Sequence, residues 1–194
     1  MVLRTAKHHN MKQKVLWIVA GILLLAIGSL AYFFLYGTKS YSPEATVVYE
    51  QGGTRVSVFY NRPYKKGRQI FGSLVPFGKV WRTGANEPTQ LETNVPLKFQ
   101  DQALPAGRYS VWTIPGEQSW TVILNSEIPR WGINFTGEAT RNPQTDVVKV
   151  EVPVMHHEKE VVEQFTILLE KSGEEMQLTF LWDQTLVAVP FTAQ

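Results

Sequence analysis

The sequence predicts an all-β protein, an antiparallel β-sandwich preceded by one N-terminal transmembrane helix. Three observations indicate this class. An uncharged apolar run lies near the N-terminus, the chain after residue 40 consists of short runs with a period close to two, and turn signals separate those runs. No stretch after residue 40 keeps a helical period for more than a few turns. A jelly roll or a related barrel is the alternative arrangement of the same strands.

Residues 15–36 are 22 consecutive positions without a charge. As a helix they would span about 33 Å, enough for a hydrocarbon core of about 30 Å. Trp17 near one end, and Tyr32 and Tyr36 near the other, suit the two membrane interfaces. A cleaved signal peptide is the alternative, but its apolar region is normally only about 7–15 residues and ends at small residues. We therefore predict a retained membrane anchor.

The charges before this helix predict its orientation. Residues 1–14 contain four cations and no acid, so we expect them to be a cytoplasmic tail. Residues 37–43 would be a short tether that keeps the domain close to the bilayer, and residues 44–194 would be a periplasmic domain. The expected location is the inner membrane of a Gram-negative cell, crossed once.

The β domain shows about nine strands, with turns between them. Gly52-Gly53 supplies the positive φ angles of a two-residue hairpin loop. Pro96 interrupts one strand and would place it at an edge or a bulge, and residues 154–164 are ambiguous and would accommodate a short helix. The predicted strands are 46–51, 54–60, 91–99, 109–114, 119–124, 147–154, 165–171, 176–182 and 185–191.

Alternation along these strands predicts which side chains fill the space between the sheets. The expected core positions are Val56, Val58, Val111, Trp120, Val122, Leu124, Phe165, Ile167, Leu178, Phe180 and Trp182.

The composition excludes several classes of function. The net charge is +2, but the four cations of the tail leave 15 cations and 17 acids in the rest of the chain, so a nucleic-acid partner is not expected. The chain has no cysteine, which excludes disulfides, a thiolate nucleophile, a cysteine metal site and a lipoprotein anchor.

Motifs for catalysis and for cofactors are missing. There is no G-x-S-x-G elbow, phosphate loop or G-x-G-x-x-G motif. His156 and His157 are neighbours that point to opposite faces of an extended segment, so no metal site is predicted, although nearby glutamates could complete one. No cofactor and no catalytic residue are predicted. The sequence does not bring together any two of the acids that a glycosidase would need, for which the candidates are Glu87, Glu92, Asp101, Asp146 and Asp183.

The chain is organised around residues 60–89, here called the 60–89 loop. It carries six cations and one acid, interleaved with aromatic residues, and is far longer than the usual connection of about 4–6 residues. It is too aromatic to be disordered, and arginine suits carboxylates and phosphates while aromatic faces suit sugars. The predicted ligand-binding residues are Arg62, Tyr64, Arg68, Trp81, Arg82, Asn86 and Glu87, and the expected ligand is a glycan or a small anion.

A structural interpretation of the same loop stays open. Its aromatic residues would close the end of the sandwich, and its arginines would bind loop carbonyls that lack strand partners. Glu87 would then be an ion-pair partner of Arg82 or Arg62. The run Lys65-Lys66-Arg68 has a further interpretation, which is contact with anionic headgroups of the membrane.

These residues also resemble a bacterial family, domain of unknown function 2911. The resemblance rests on Tyr60-Asn61-Arg62-Pro63, on Gly67 to Gly72, and above all on Val75 to Glu87 with its Trp-Arg-Thr-Gly-Ala-Asn run. It continues through Leu104 to Tyr109 and on to about residue 191. It implies an exported β-rich domain with no established activity and no assigned catalytic residues. In this family the β-rich domain usually follows a cleavable export signal, and the retained anchor predicted here departs from that pattern.

The sequence thus favours a membrane-anchored periplasmic binding or interaction module, with inner-membrane lipid beside it and the 60–89 loop as its site. The first alternative is an accessory subunit of an inner-membrane complex, bound to a membrane-protein partner through the same loop. The second alternative is a carbohydrate-active hydrolase.

Overall fold

A computed structural model describes residues 3–157, 160–173 and 175–194. The chain divides into two compact units, Met1–Ser40 and Tyr41–Gln194. The first is helical and the second is built from β-strands.

The helical unit extends beyond the predicted span in both directions. Helix α1 runs over Leu3–Tyr32 and is followed by one π-helical turn, Phe33–Gly37. Asn10–Tyr32 contains an 18-residue window with a mean hydropathy of 2.4, so the segment is long and apolar enough to cross a membrane. A signal sequence near an N-terminus has the same length and composition. A further helical turn, α2, covers Thr38–Tyr41, where the sequence predicted the tether.

The β domain contains two antiparallel sheets, as predicted. Their strands do not close into the alternative barrel anywhere in the described part of the chain. The first sheet has the order β1-β2-β3-β6-β7-β8. The second has the order β10-β11-β12-β4-β5, with β9 also pairing with β12. The strands are β1 Glu44–Gln51, β2 Thr54–Asn61, β3 Thr89–Thr93, β4 Leu97–Phe99, β5 Gln102–Leu104, β6 Gly107–Pro115, β7 Ser119–Asn125, β8 Asp146–Pro153, β9 Met155–His156, β10 Val162–Ser172, β11 Glu175–Asp183 and β12 Thr185–Ala193.

The predicted hairpin at Gly52-Gly53 is confirmed. Gln51 pairs with Thr54, so the loop has two residues, and both glycines have positive φ, 60° and 83°. That backbone combination gives the turn the twist that its flanking strands need.

The predicted core is also confirmed. All eleven expected positions are at most 2% exposed. They belong to one apolar cluster between the sheets, in which each large side chain that is fully buried stabilises the fold by about 1.5–3 kcal/mol.

The single strand predicted over residues 91–99 is wrong in one respect. Its two halves are separate strands, because β3 ends at Thr93 in the first sheet and β4 begins at Leu97 in the second. Pro96 has no backbone N–H to donate to a ladder, and here it lies where the chain crosses between sheets.

The ambiguous segment 154–164 contains no helix among its described residues. Met155–His156 is a short strand beside β12, and β10 begins at Val162. Of the glutamates near His156 and His157 that could complete a metal site (Glu158, Glu160 and Glu163), Glu158 lies outside the described residues. Strand β5 carried no recognised sequence signal.

Candidate functional site

The 60–89 loop is folded, and its first part pairs with the second sheet. Phe165 N–H donates to Pro63 O at 2.9 Å, and Lys65 N–H donates to Glu163 O at 2.6 Å. Tyr64 and Gln164 are the paired residues between these two bonds. The start of the loop therefore acts as a short strand beside β10.

The last part of the loop pairs with the first sheet. Trp81 N–H donates to Thr113 O at 2.7 Å, Thr113 N–H donates back at 3.0 Å, and Gly78 N–H donates to Pro115 O at 2.8 Å. Strand β3 accompanies β6 only as far as Val111, so residues 78–81 take the place that β3 leaves open. The loop thus joins both sheets and closes one end of the sandwich.

Trp81 belongs to an aromatic cluster at this end. Its ring stacks on Trp182 with centroids 6.0 Å apart and lies edge-on to Phe165 at 5.2 Å and to Trp120 at 6.2 Å. Its Nε1–H donates to Gly84 O at 3.0 Å. Ring geometry of this kind adds stability beyond burial, so the position of Trp81 is fixed by packing.

Two of the predicted arginines hold the loop together. Arg62 donates from Nε to Phe165 O at 3.2 Å and from Nη2 to Thr166 Oγ1 at 3.0 Å. Arg68 donates from Nε to Lys65 O at 2.9 Å and from Nη2 to Tyr64 O at 2.5 Å. Both side chains satisfy acceptors that lie outside the regular ladders.

Asn86 and Glu87 form a chain of hydrogen bonds through buried Asn61. Asn86 donates from Nδ2 to Asn61 Oδ1 at 3.2 Å, and Asn61 donates from Nδ2 to Glu87 Oε2 at 3.1 Å. Asn86 is 6% exposed and has a φ of 55°, a region that asparagine tolerates better than most residues. Its role in the structure is to shape the turn.

Arg82 differs from the other arginines. Its Nε and Nη1 are inaccessible to solvent and have no hydrogen-bond partner among the described residues. Burial lowers the pKa of Arg82, and the nearby Glu87 carboxylate opposes that effect without cancelling it. Because arginine remains protonated in proteins, the site contains a charge that is largely removed from water and is not hydrogen-bonded at these two atoms.

The stem of Arg82 is held by the facing loop. A Cβ at Gly132 would lie 3.3 Å from Cβ and Cδ of Arg82 and 2.7 Å from Cγ of Pro88. Gly132 also has a φ of 78°. Only glycine allows the two loops to approach this closely without strain.

Arg82 lines an open cleft of about 980 Å³ within the β domain. Four cationic residues line the cleft, Lys66, Arg68, Lys79 and Arg82. Among the described residues the only acid in this lining is Glu138. Tyr64, Trp81 and Trp182 supply aromatic surface, and the indole nitrogen of Trp182 is buried without a partner.

The wall facing the 60–89 loop is formed by residues 133–139. Ile133 and Ala139 pair across this small loop, and Asn134 Oδ1 accepts from the backbone N–H of both Thr136 and Glu138. Hydrogen bonds from the Asn134 and Thr136 side chains lower the pKa of Glu138, and the charge of Lys79 contributes further. The sequence analysis missed this wall, although an asparagine, a threonine and a glycine in close succession are a turn signal.

Of the seven predicted ligand-binding residues, four line the cleft: Tyr64, Arg68, Trp81 and Arg82. The other three, Arg62, Asn86 and Glu87, lie outside its lining and have the structural contacts described above.

The acids considered for hydrolysis have other partners. Asp183 pairs with Lys65, Asp146 with Arg141, and Glu92 with Arg108. Asp101 lies in the turn between β4 and β5. Over the described ranges, no group of three metal-binding side chains occurs, and both His156 and His157 are exposed.

The fold and the cleft define a class of protein, an antiparallel two-sheet β domain with a cationic cleft at one end, preceded by an apolar N-terminal helix. The chain belongs to the family described as Protein of unknown function (DUF2911), whose model matches residues 42–191. Searches among curated proteins and among solved structures gave no significant match.

Proposed function

We propose that the β domain is a binding module that takes a small anionic ligand in the cleft, with the apolar helix as its membrane anchor. The observation that carries the proposal is the Arg82 guanidinium, whose Nε and Nη1 are closed to solvent and have no hydrogen-bond partner among the described residues. A guanidinium that is largely removed from water and lacks hydrogen bonds at two nitrogens is costly, even with the Glu87 carboxylate nearby. A carboxylate or phosphate in the cleft would offset that cost through its charge, and through charge-assisted hydrogen bonds once the guanidinium turns toward the cleft.

The surroundings of Arg82 favour an anion over a neutral sugar. Lys66, Arg68 and Lys79 also line the cleft, and they outnumber the single carboxylate of Glu138. The Trp81 ring is packed against other rings and is therefore poorly placed to act as an open sugar platform. The lone acid also gives no support to a glycosidase mechanism, which needs two carboxylates at one site.

Thermal unfolding of the full chain in a neutral detergent tests the proposal. The probes are inorganic phosphate, glycerol 3-phosphate, succinate and maltose. A ligand at 100 times its Kd stabilises by about 2.7 kcal/mol, which corresponds to a Tm increase of about 5–10 °C. We expect such an increase with at least one anion and none with maltose.

Two matched variants complete the test. Arg82→Met should abolish the shift. Arg55→Met should retain it, because it removes the same charge from an exposed position on β2, near the hairpin at Gly52-Gly53. If no anion raises Tm, or if Arg82→Met responds as the unchanged chain does, the proposed function is wrong.

A further inference from the structure

We infer that the anion taken by the cleft is the phosphate of a membrane lipid headgroup, which enters while the rim of the cleft lies on the bilayer. This inference rests on the proposed function and names the source of its ligand. It is carried by the residues around the mouth of the cleft, here called the cleft rim, which comprise Tyr41, Lys66, Arg68, Leu74, Lys79 and Phe135.

The cleft rim exposes large apolar side chains next to the lining. Phe135 is fully exposed, at 112% of its reference area, at the tip of the loop whose neighbouring residues Ile133 and Gly137 line the cleft. Leu74 is 44% exposed and Tyr41 is 59% exposed, and both line the mouth directly. Exposed apolar groups concentrated at a single site indicate an interaction surface.

Cations lie among these apolar groups. Lys66, Arg68 and Lys79 are exposed, and the ammonium of Lys66 lies over the Tyr41 ring, 4.7 Å from its centroid. Aromatic and aliphatic side chains mixed with lysine and arginine are the composition of surfaces that lie in the interface of anionic membranes. A bilayer of acidic lipids complements both the cations and the apolar groups of this surface.

The covalent chain limits how far the cleft can be from a bilayer that holds the apolar segment. Tyr41 lies only nine positions after Tyr32, the last residue of the candidate span. Even a fully extended chain of nine residues reaches only about 30 Å. A ligand that resides in the same membrane would thus be at a high effective concentration.

The size of the cleft suits a headgroup. At about 980 Å³ it is at the upper end of the range for small-molecule sites and far larger than a bare phosphate needs. Nε and Nη1 of Arg82 are closed to solvent at its lining, and the rim combines exposed cations with the apolar side chains of Leu74 and Phe135. A phosphate near Arg82, with its glycerol and acyl chains directed outward past Leu74 and Phe135, would place its charge among the cations and its hydrocarbon beside the apolar groups.

The first test measures the position of the cleft rim. The chain has no cysteine, so single cysteines can carry an environment-sensitive fluorophore. Phe135→Cys tests the rim. Gln51→Cys is the control, because Gln51 ends β1 at the Gly52-Gly53 hairpin, at the end of β2 opposite to the one where the 60–89 loop begins. The full chain is placed in nanodiscs of phosphatidylcholine alone or with phosphatidic acid. We expect the label at position 135 to shift to the blue and to be at least five-fold less quenched by iodide in the acidic nanodiscs, and the label at 51 to remain aqueous.

The second test separates the two sources of phosphate. Thermal unfolding of the full chain is followed with inorganic phosphate, with dihexanoyl phosphatidic acid, and in both kinds of nanodisc. We expect the apparent affinity for the lipid to be at least ten-fold higher than that for inorganic phosphate. In Arg82→Met we expect neither the lipid nor inorganic phosphate to raise Tm.

The outcomes of these tests are distinct. If inorganic phosphate binds as tightly as the lipid and the label at 135 stays aqueous, the cleft takes a free anion. The lipid inference is then wrong, while the proposed function stands. If no anion in any form binds, both are wrong.

Discussion

At the scale of single residues, two arginines of the same loop have opposite roles. Arg62 donates to a backbone carbonyl and to a hydroxyl of β10, whereas Arg82 has two buried nitrogens without a hydrogen-bond partner in the described part of the chain. The composition of the loop cannot distinguish the role of Arg62 from that of Arg82, because the partners of Arg62 lie about 100 residues away in the sequence. The prediction of a basic, aromatic and folded loop was accessible from the sequence, but the assignment of each cation was not.

The same substitution should therefore have different effects at the two positions. Arg62→Met leaves Phe165 O and Thr166 Oγ1 without their donor, and we expect it to cost about 1–3 kcal/mol of unfolding free energy. Arg82→Met removes a charge that is poorly solvated, and we expect it to be neutral or to stabilise by up to about 2 kcal/mol without ligand. Urea denaturation of the two variants and of the unchanged chain measures both changes in the free energy of unfolding.

Equal destabilisation by the two substitutions would show that Arg82 is also an anchor. Arg55→Met, at an exposed ion pair of 3.9 Å, is the control and should change stability by less than about 0.5 kcal/mol.

A second prediction at this scale concerns the effect of Tyr109 on the pH dependence of stability. Its hydroxyl donates to Pro105 O at 2.9 Å, and burial raises the pKa of Tyr109 above its ordinary value near 10. The unfolded chain then loses this proton at lower pH than the folded chain does. The contribution of Tyr109 to stability is therefore complete below about pH 10 and is lost as the pH rises further.

Tyr109→Phe tests this linkage. It should cost about 0.5–1.5 kcal/mol at pH 7, the net contribution of one hydrogen bond, and should reduce the decline in stability above pH 10. Denaturation curves from pH 8 to 11 provide the measurement, and parallel declines in both proteins would contradict the assignment.

At the scale of elements, strands with strong alternation were predictable, and the connections between sheets were not. The inward positions of β2, β6, β7, β10 and β11 are buried as expected because a period of two fixes the face of each side chain. The crossing at Pro96 and the wall at residues 133–139 were missed, because they depend on which distant segments meet. The length and composition of the 60–89 loop identified it as a candidate site, but neither they nor the family resemblance indicated its partner wall.

The wall at residues 133–139 should respond to acid. Hydrogen bonds to the Glu138 carboxylate lower its pKa below the value of about 4.5 in the unfolded chain. Its contribution to the order of this loop is thus present above pH 4.5 and is lost as the pH falls through the lower, folded-state pKa. A spin label at Phe135→Cys should become more mobile over that acid range. A second chain that also carries Glu138→Gln should show little change, and identical profiles for the two would contradict the prediction.

At the scale of the whole molecule, the β domain carries its own apolar core. The buried cluster extends across both sheets, and the family match covers the same part of the chain, residues 42–191. We therefore expect the fragment 39–194 to fold without the helical segment and to unfold in one cooperative transition. Calorimetry compares the calorimetric and van't Hoff enthalpies, which should agree. A broad transition or two separate transitions would show that the domain depends on residues it has lost.

The double pairing of the 60–89 loop has a consequence for how the protein is made. The loop leaves the ribosome early, but its partner segment at the start of β10 follows about 100 residues later. At a synthesis rate of about 5–20 residues per second, that delay is roughly 5–20 s. Throughout this interval the cleft is incomplete, since β10, which pairs with the start of the loop, has not been made. Only the completely folded domain would therefore bind a ligand in the cleft. A bound ligand would lower the rate of unfolding far more than it would raise the rate of folding.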